Sequence, residues 1–161
     1  LWKMIGGRID AIGWSEYFMR VAQLTALRSK SPNTQVGCVI ASPDKKILST
    51  GYNGHIRVTK GDNDKIFPWG SGRGINNKNN FVVHAEANAV INATGSLKNA
   101  RLFSTHFPCC ESAKLIVQCG IKIVYFCGAI NLDPDSEDCH LASTMLFDAA
   151  GVKCKQIEPP L

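Results

Sequence analysis

Apolar and polar positions along the chain change period several times, and each change marks an element. From position 15 to about 29 apolar residues recur at helical spacing, with Phe18, Val21, Ala22 and Thr25 on one face. Ser15 precedes that run as an N-cap, and Ser31-Pro32-Asn33-Thr34 breaks it. Two strand-like runs follow, 35–41 and 47–52, joined by the turn Ser42-Pro43-Asp44-Lys45-Lys46, which reads as a β-hairpin. From 54 to 80 the composition shifts to Gly, Asn, Lys and Asp, interrupted by Ile66-Phe67-Pro68-Trp69; this predicts a long insertion loop, of a length that compact domains reserve for function or mobility. Beyond it helix and strand alternate: helices near 84–94, 109–119 and 136–150, strands near 101–105, 121–127 and 152–157. Such alternation implies right-handed crossovers and parallel pairing. The expected fold is therefore α/β: one three-layer α/β/α domain over 1–161, with 1–13 as an N-terminal extension. Its central mixed sheet has five strands, antiparallel in the first hairpin and parallel in the second half.

Composition narrows the class without deciding it. At 161 residues with 45% apolar and 19% charged positions, the chain has the usage of one globular core. No apolar run reaches the roughly 18–20 residues that span a bilayer, and residues 1–8 lack the apolar segment of a signal peptide. The expectation is no membrane partner. Seven cysteines, at 38, 109, 110, 119, 127, 139 and 154, are an odd set spread through strand-like and helix-like runs. That argues against a disulfide framework and for a reducing, cytoplasmic setting. The net charge of +5 is dispersed; it suits an anionic small molecule, and equally nucleic acid. No basic stripe interleaved with aromatics accompanies it, which disfavours a single-strand groove.

The chemistry concentrates in two segments, His84-Ala85-Glu86 and Pro108-Cys109-Cys110-Glu111-Ser112, each at a predicted helix start. A His-x-Glu followed by Pro-Cys-x-x-Cys is the signature of zinc deaminases. An imidazole and two thiolates leave zinc one open position, where a water ionises near neutral pH. The Glu is no ligand; it moves that water's proton to the departing amine. Here position 112, where the second cysteine belongs, is Ser112, a neutral and weaker donor that would have to ionise to replace a thiolate. Cys110 is the alternative third donor, but one residue past Cys109 it points roughly 100° around a helix. The expectation is a substantial fall in zinc affinity. Cys139-His140 reads as a plain helical pair, and Cys38, Cys119, Cys127 and Cys154 as small buried hydrophobes.

The chain resembles the deoxycytidylate (dCMP) deaminases of the zinc-dependent cytidine deaminase superfamily. The resemblance runs through Trp14-Ser15-Glu16-Tyr17-Phe18-Met19, Arg28 to Gly37, Gly51-Tyr52-Asn53-Gly54, Phe67-Pro68-Trp69, His84 to Ala89, Phe107-Pro108-Cys109 and Ala113 to Gln118. It implies hydrolysis of dCMP to dUMP and ammonia, feeding thymidylate synthesis, with one zinc per chain. Glu86 would be the proton shuttle, and His84 and Cys109 ligands, with Ser112 or Cys110 completing the set. Asn53 would contact the sugar and the Ala85 N–H the pyrimidine carbonyl. Arg28, Ser29, Lys30 and Asn33 form a polar loop suited to a 5′-phosphate, or equally a solvated turn. The family's dCTP and dTTP regulators point to Gly51, Tyr52, Asn53 and Gly54, and its assembly to a hexamer. Two further departures are a shortened insertion after Trp69 and the absence of an aromatic from 128–135, where relatives carry a Tyr that closes over the nucleotide. Three functions remain open: a dCMP deaminase, a catalytically impaired homologue that binds nucleotide or assembles with partners, and a nucleic-acid deaminase.

Overall fold

Aromatic stacking sets where the first helix begins. In the computed structural model, which describes residues 6–58, 61–70, 72–128 and 134–159, helix α1 spans Trp14–Ala26. Its N-cap is Gly13 rather than the expected Ser15, with no side-chain cap. Trp14 stacks on Phe18 with 5.8 Å between ring centroids, which extends the helix back past the serine. The same helix ends at Ala26, earlier than its pattern implies. The next residues close into a tight turn in which the N–H groups of Arg28 and Ser29 donate to the Thr25 and Ala26 carbonyls at 3.0 and 2.9 Å.

Strands β1 (Gly37–Ala41) and β2 (Ile47–Tyr52) form the predicted antiparallel hairpin. The insertion is more ordered than its composition suggests. Strand β3 (Gly54–His55) pairs with β4 (Val82–Val83), and a short helix α2 (Asn63–Ile66) lies between them. The reason is a small aromatic core: His55 stacks on Trp69 at 3.8 Å and Phe67 on Phe81 at 4.7 Å. The Trp69 indole N–H donates to Asp64 Oδ1 at 3.1 Å, and Lys30 pairs with the other oxygen of Asp64.

The remaining elements follow the predicted alternation: α3 (Ala85–Asn92), β5 (Arg101–Ser104), α4 (Cys110–Gln118), β6 (Ile123–Phe126), α5 (Pro134–Ala149) and β7 (Lys153–Gln156). The sheet order is β2-β1-β5-β6-β7, antiparallel through β1 and parallel across β5, β6 and β7. Alternate residues of each strand serve opposite faces. Cys38, Ile40, Leu102 and Val124 pack with Ala85, Ala89, Ala113, Ile116 and Phe147 of α3, α4 and α5 on one side. Val39, Ala41 and Phe103 pack with Phe18, Met19 and Ala22 of α1 on the other. This is the expected three-layer arrangement. No helix among the described residues is long and apolar enough to cross a membrane. The segment 128–135 lies largely outside the described residues, as do positions 1–5 of the N-terminal extension.

Gly51 is buried beneath α3, and a Cβ there would overlap the Ala85 carbonyl oxygen and the Ala89 amide nitrogen, both backbone atoms. The close approach of β2 to α3 depends on that missing side chain. Gly51→Ala should therefore cost about 3 kcal/mol or more, read as a fall in Tm of roughly 6–12 °C by calorimetry. An unchanged Tm would mean that α3 can lift from the sheet at no cost.

Candidate active site

Helices α3 and α4 start side by side, and each is entered through a residue of the predicted chemistry. His84 is the N-cap of α3 and Cys109 the N-cap of α4, both in extended conformation. His84 Nδ1 lies 3.0 Å from Cys109 Sγ. Cys109 Sγ donates to Ser112 Oγ at 3.6 Å, one turn into α4. Glu86, only 4% exposed, receives two hydroxyl donors: Ser112 at 3.1 Å on Oε2 and Ser104, at the end of β5, at 2.6 Å on Oε1. The predicted quartet of His84, Glu86, Cys109 and Ser112 is thus assembled. Ser104 is a member that the sequence reading missed; its signal was a hydroxyl in the otherwise apolar run Leu102-Phe103-Ser104.

The electrostatics favour a thiolate–imidazolium pair, from which zinc would have to displace the His84 proton. Burial pushes the Cys109 thiol up, but the bond to His84, the charge of that ring and the Ser112 amide together bring it below its ordinary value. The bond to Cys109 raises His84 against the effect of burial, with the charges of Cys109, Glu86 and Glu111 adding to the rise. Donors around a tetrahedral zinc stand about 3.5 Å apart, given bonds of 2.0–2.3 Å. His84 and Cys109 are close to that spacing, and so are Cys109 and the Ser112 Oγ, at 3.6 Å. The residues fit zinc through two strong donors and one weak one. Among the described residues, no three His, Cys, Asp or Glu side chains converge on a metal position. Cys110 does not substitute for the missing thiolate. Its sulfur lies against Cys139 of α5, as its place one residue past the N-cap requires.

His84, Glu86 and Cys109 floor a cleft of about 210 Å³, lined also by Asn53, Ala85, Lys78, Asn79, His106 and Phe107. Ala85 opens α3, so its N–H belongs to the first turn, which has no intrahelical acceptor. Asn53 ties the cleft wall together. Its Oδ1 accepts from the Val36 N–H at 2.9 Å, and its Nδ2 donates to the Thr34 carbonyl at 2.9 Å. Burial lowers the His106 ring below its usual value, opposed by the charge of Glu86. Lys78, from the insertion, is a cation in the cleft that no sequence signal singled out.

The expected phosphate loop is split. Arg28 and Lys30 line a second hollow of about 210 Å³ with Tyr52, Gly54, His55 and Asp64. The Ser29 hydroxyl donates to the Asn53 carbonyl at 2.8 Å, and Asn33 is exposed. The same loop gives Ser31 and Thr34 to the cleft instead. Of the expected regulatory segment, Tyr52 and Gly54 face the second hollow, Asn53 faces the cleft, and Gly51 is covered by α3. Two amides also went unpredicted. Asn88 and Asn92 of α3 donate to the Tyr52 and Thr50 carbonyls at 2.8 and 3.0 Å, clasping the helix to β2.

Restoring the thiolate should restore the site. Ser112→Cys is expected to tighten zinc on the order of 100-fold, measured by competition with a chromophoric chelator. Equal affinity in the two proteins would show that the Ser112 hydroxyl already serves as a full ligand.

Comparison with known proteins identifies the family. Positions 12–128 match the model of the cytidine and deoxycytidylate deaminase zinc-binding region. The chain is 40% identical to human deoxycytidylate deaminase over 155 residues, covering 94% of this chain and 84% of the human one. It is 39% identical to the probable deoxycytidylate deaminase of Drosophila melanogaster over 160 residues, covering 94% and 76%. The dCMP deaminase of cyanophage S-TIM5, solved with dCMP and dUMP, superposes with a TM-score of 0.66 at 26% identity, over 88% of this chain and 95% of the phage one. The chain belongs to the zinc-binding cytidine and deoxycytidylate deaminase family.

Proposed function

We propose that this chain hydrolyses dCMP to dUMP with release of ammonia, within pyrimidine deoxynucleotide metabolism. The observation that carries the reading is the meeting of His84, Cys109 and Glu86 at two adjacent helix starts, inside a cleft that also holds Asn53, Ala85 and Lys78. The 40% identity to the human deoxycytidylate deaminase supports the choice of substrate. Zinc, held by His84 and Cys109 with the Ser112 hydroxyl beside them, would supply the Lewis acidity that makes a water nucleophilic near neutral pH. Glu86 carries a proton from the attacking water to the leaving amine. Ser104, donating to Oε1, holds that carboxylate in place.

Substrate recognition uses the cleft walls. The free first-turn N–H of Ala85 meets the pyrimidine carbonyl, and Asn53 meets the sugar. Lys78 takes the 5′-phosphate, in place of the expected loop cations, since Arg28 and Lys30 line the neighbouring hollow. That second hollow, with Tyr52 and Gly54 in its wall, is the place we assign to a dCTP or dTTP regulator in a hexamer. Seven free thiols support a reducing, cytoplasmic setting for the reaction.

Zinc-replete protein should release ammonia and dUMP from dCMP but not from a cytosine-containing single-stranded oligonucleotide. Glu86→Gln should lower kcat by roughly 10²–10⁴. Binding of dCMP without ammonia from the zinc-replete chain would overturn turnover and leave a nucleotide-binding homologue. Lys78→Ala should raise KM for dCMP about tenfold while leaving that for deoxycytidine unchanged, as the loss of one charge-assisted contact predicts. An equal rise for both substrates would remove Lys78 from the phosphate.

A further inference from the structure

Outside the cleft, α4 and α5 bring a second pair of sulfurs together. Cys109 caps α4, so Cys110 opens it and points about 100° around the axis from its neighbour. There it meets Cys139 of α5, with 2.7 Å between the two Sγ atoms. The Cys110 N–H is a first-turn amide without an acceptor in its own helix. It donates to Cys139 Sγ at 3.0 Å. Cys139 is seated in turn by its own helix, where the Ser143 hydroxyl donates to the Cys139 carbonyl at 2.9 Å. The two thiols are held against each other by the backbones that carry them, and both are free.

We propose that Cys110 and Cys139 form a reversible cystine, a modification site that ties the start of α4 to α5 in the presence of low-molecular-weight disulfides. One protein thiol attacks the small disulfide, forming a mixed disulfide and releasing a small thiol. The other then attacks the protein sulfur of that adduct, closing the Cys110–Cys139 bond and releasing the second small thiol. Two protein thiols lose two protons and two electrons in all, and the small disulfide gains them. A disulfide bond is about 2.05 Å long, so closure asks for less than about 1 Å of movement. Contact with Cys139 pushes the Cys110 thiol up to about 11. That slows attack at neutral pH. An odd set of seven cysteines is compatible with one such reversible pair, although not with a framework.

The consequence is mechanical. The bond would close a loop over a sequence separation of 29 residues. It would also fasten the turn that presents Cys109 and Ser112. The inference is independent of the deaminase reading, because its test reads no turnover.

The full chain would be equilibrated in graded mixtures of reduced and oxidised glutathione, quenched in acid, alkylated, digested and analysed by mass spectrometry. The expected result is one linked peptide pair joining the segment 102–114 to the segment that contains Cys139. It should be absent from both Cys110→Ser and Cys139→Ser, and reverse with excess reduced glutathione. The oxidised chain should melt roughly 5–10 °C higher than the reduced one. Persistence of the linked pair in Cys110→Ser would place the bond on Cys109 and overturn the proposal. So would an oxidised wild-type chain carrying only glutathione adducts at Cys110 or Cys139.

Discussion

The Ala85 carbonyl and the Ala89 amide lie where a side chain on Gly51 would be, and that vacancy sets how closely α3 can lie on β2. The amides of Asn88 and Asn92 then clasp the helix to the strand through the Tyr52 and Thr50 carbonyls. Because α3 is fixed in height and rotation, its N-cap His84 and its second residue Glu86 arrive at one edge of the sheet. The parallel crossover from β5 delivers Cys109 to the same edge. Positioning chemistry at helix starts uses first-turn amides that the helix itself cannot satisfy. Here Ala85, the first residue of α3, lines the cleft, while the Cys110 amide is taken by Cys139 Sγ.

Burial of Glu86 explains why two serines surround it. A carboxylate taken out of water is tolerated only with hydrogen-bond donors, and Ser104 and Ser112 supply one to each oxygen. Ser112 therefore has two roles that a cysteine would divide differently. Its oxygen accepts from Cys109, beside which we propose the zinc, and its hydroxyl donates to Glu86. A thiol there would bind zinc more strongly and hold Glu86 less well, since S–H is the weaker donor.

Period and punctuation made most of the fold legible. The hairpin, helices α3, α4 and α5 after it and the parallel half followed from alternation of apolar runs, because the central strands β1 and β5 feed both core faces. The insertion was not legible as structure. Its order comes from ring stacking between His55 and Trp69 and between Phe67 and Phe81, contacts that leave no periodic trace. In the same way the start of α1 answered to Trp14 on Phe18 rather than to Ser15. In the site, His84, Glu86 and Cys109 were readable because ligand spacing on helix starts is a local property. Lys78 was not, because its place in the cleft depends on how a non-periodic segment folds back.

The division of the loop after α1 carries the same lesson into recognition. Sequence proximity grouped Arg28, Ser29, Lys30 and Asn33 as one cradle, yet a chain leaving a helix through a tight turn sends neighbouring side chains in different directions. Lys30 is drawn to Asp64 of the insertion, and Ser29 to the carbonyl of Asn53. Asn53 thus stands between two hollows, its amide fixed to 34 and 36 on the cleft side and its carbonyl to Ser29 on the other.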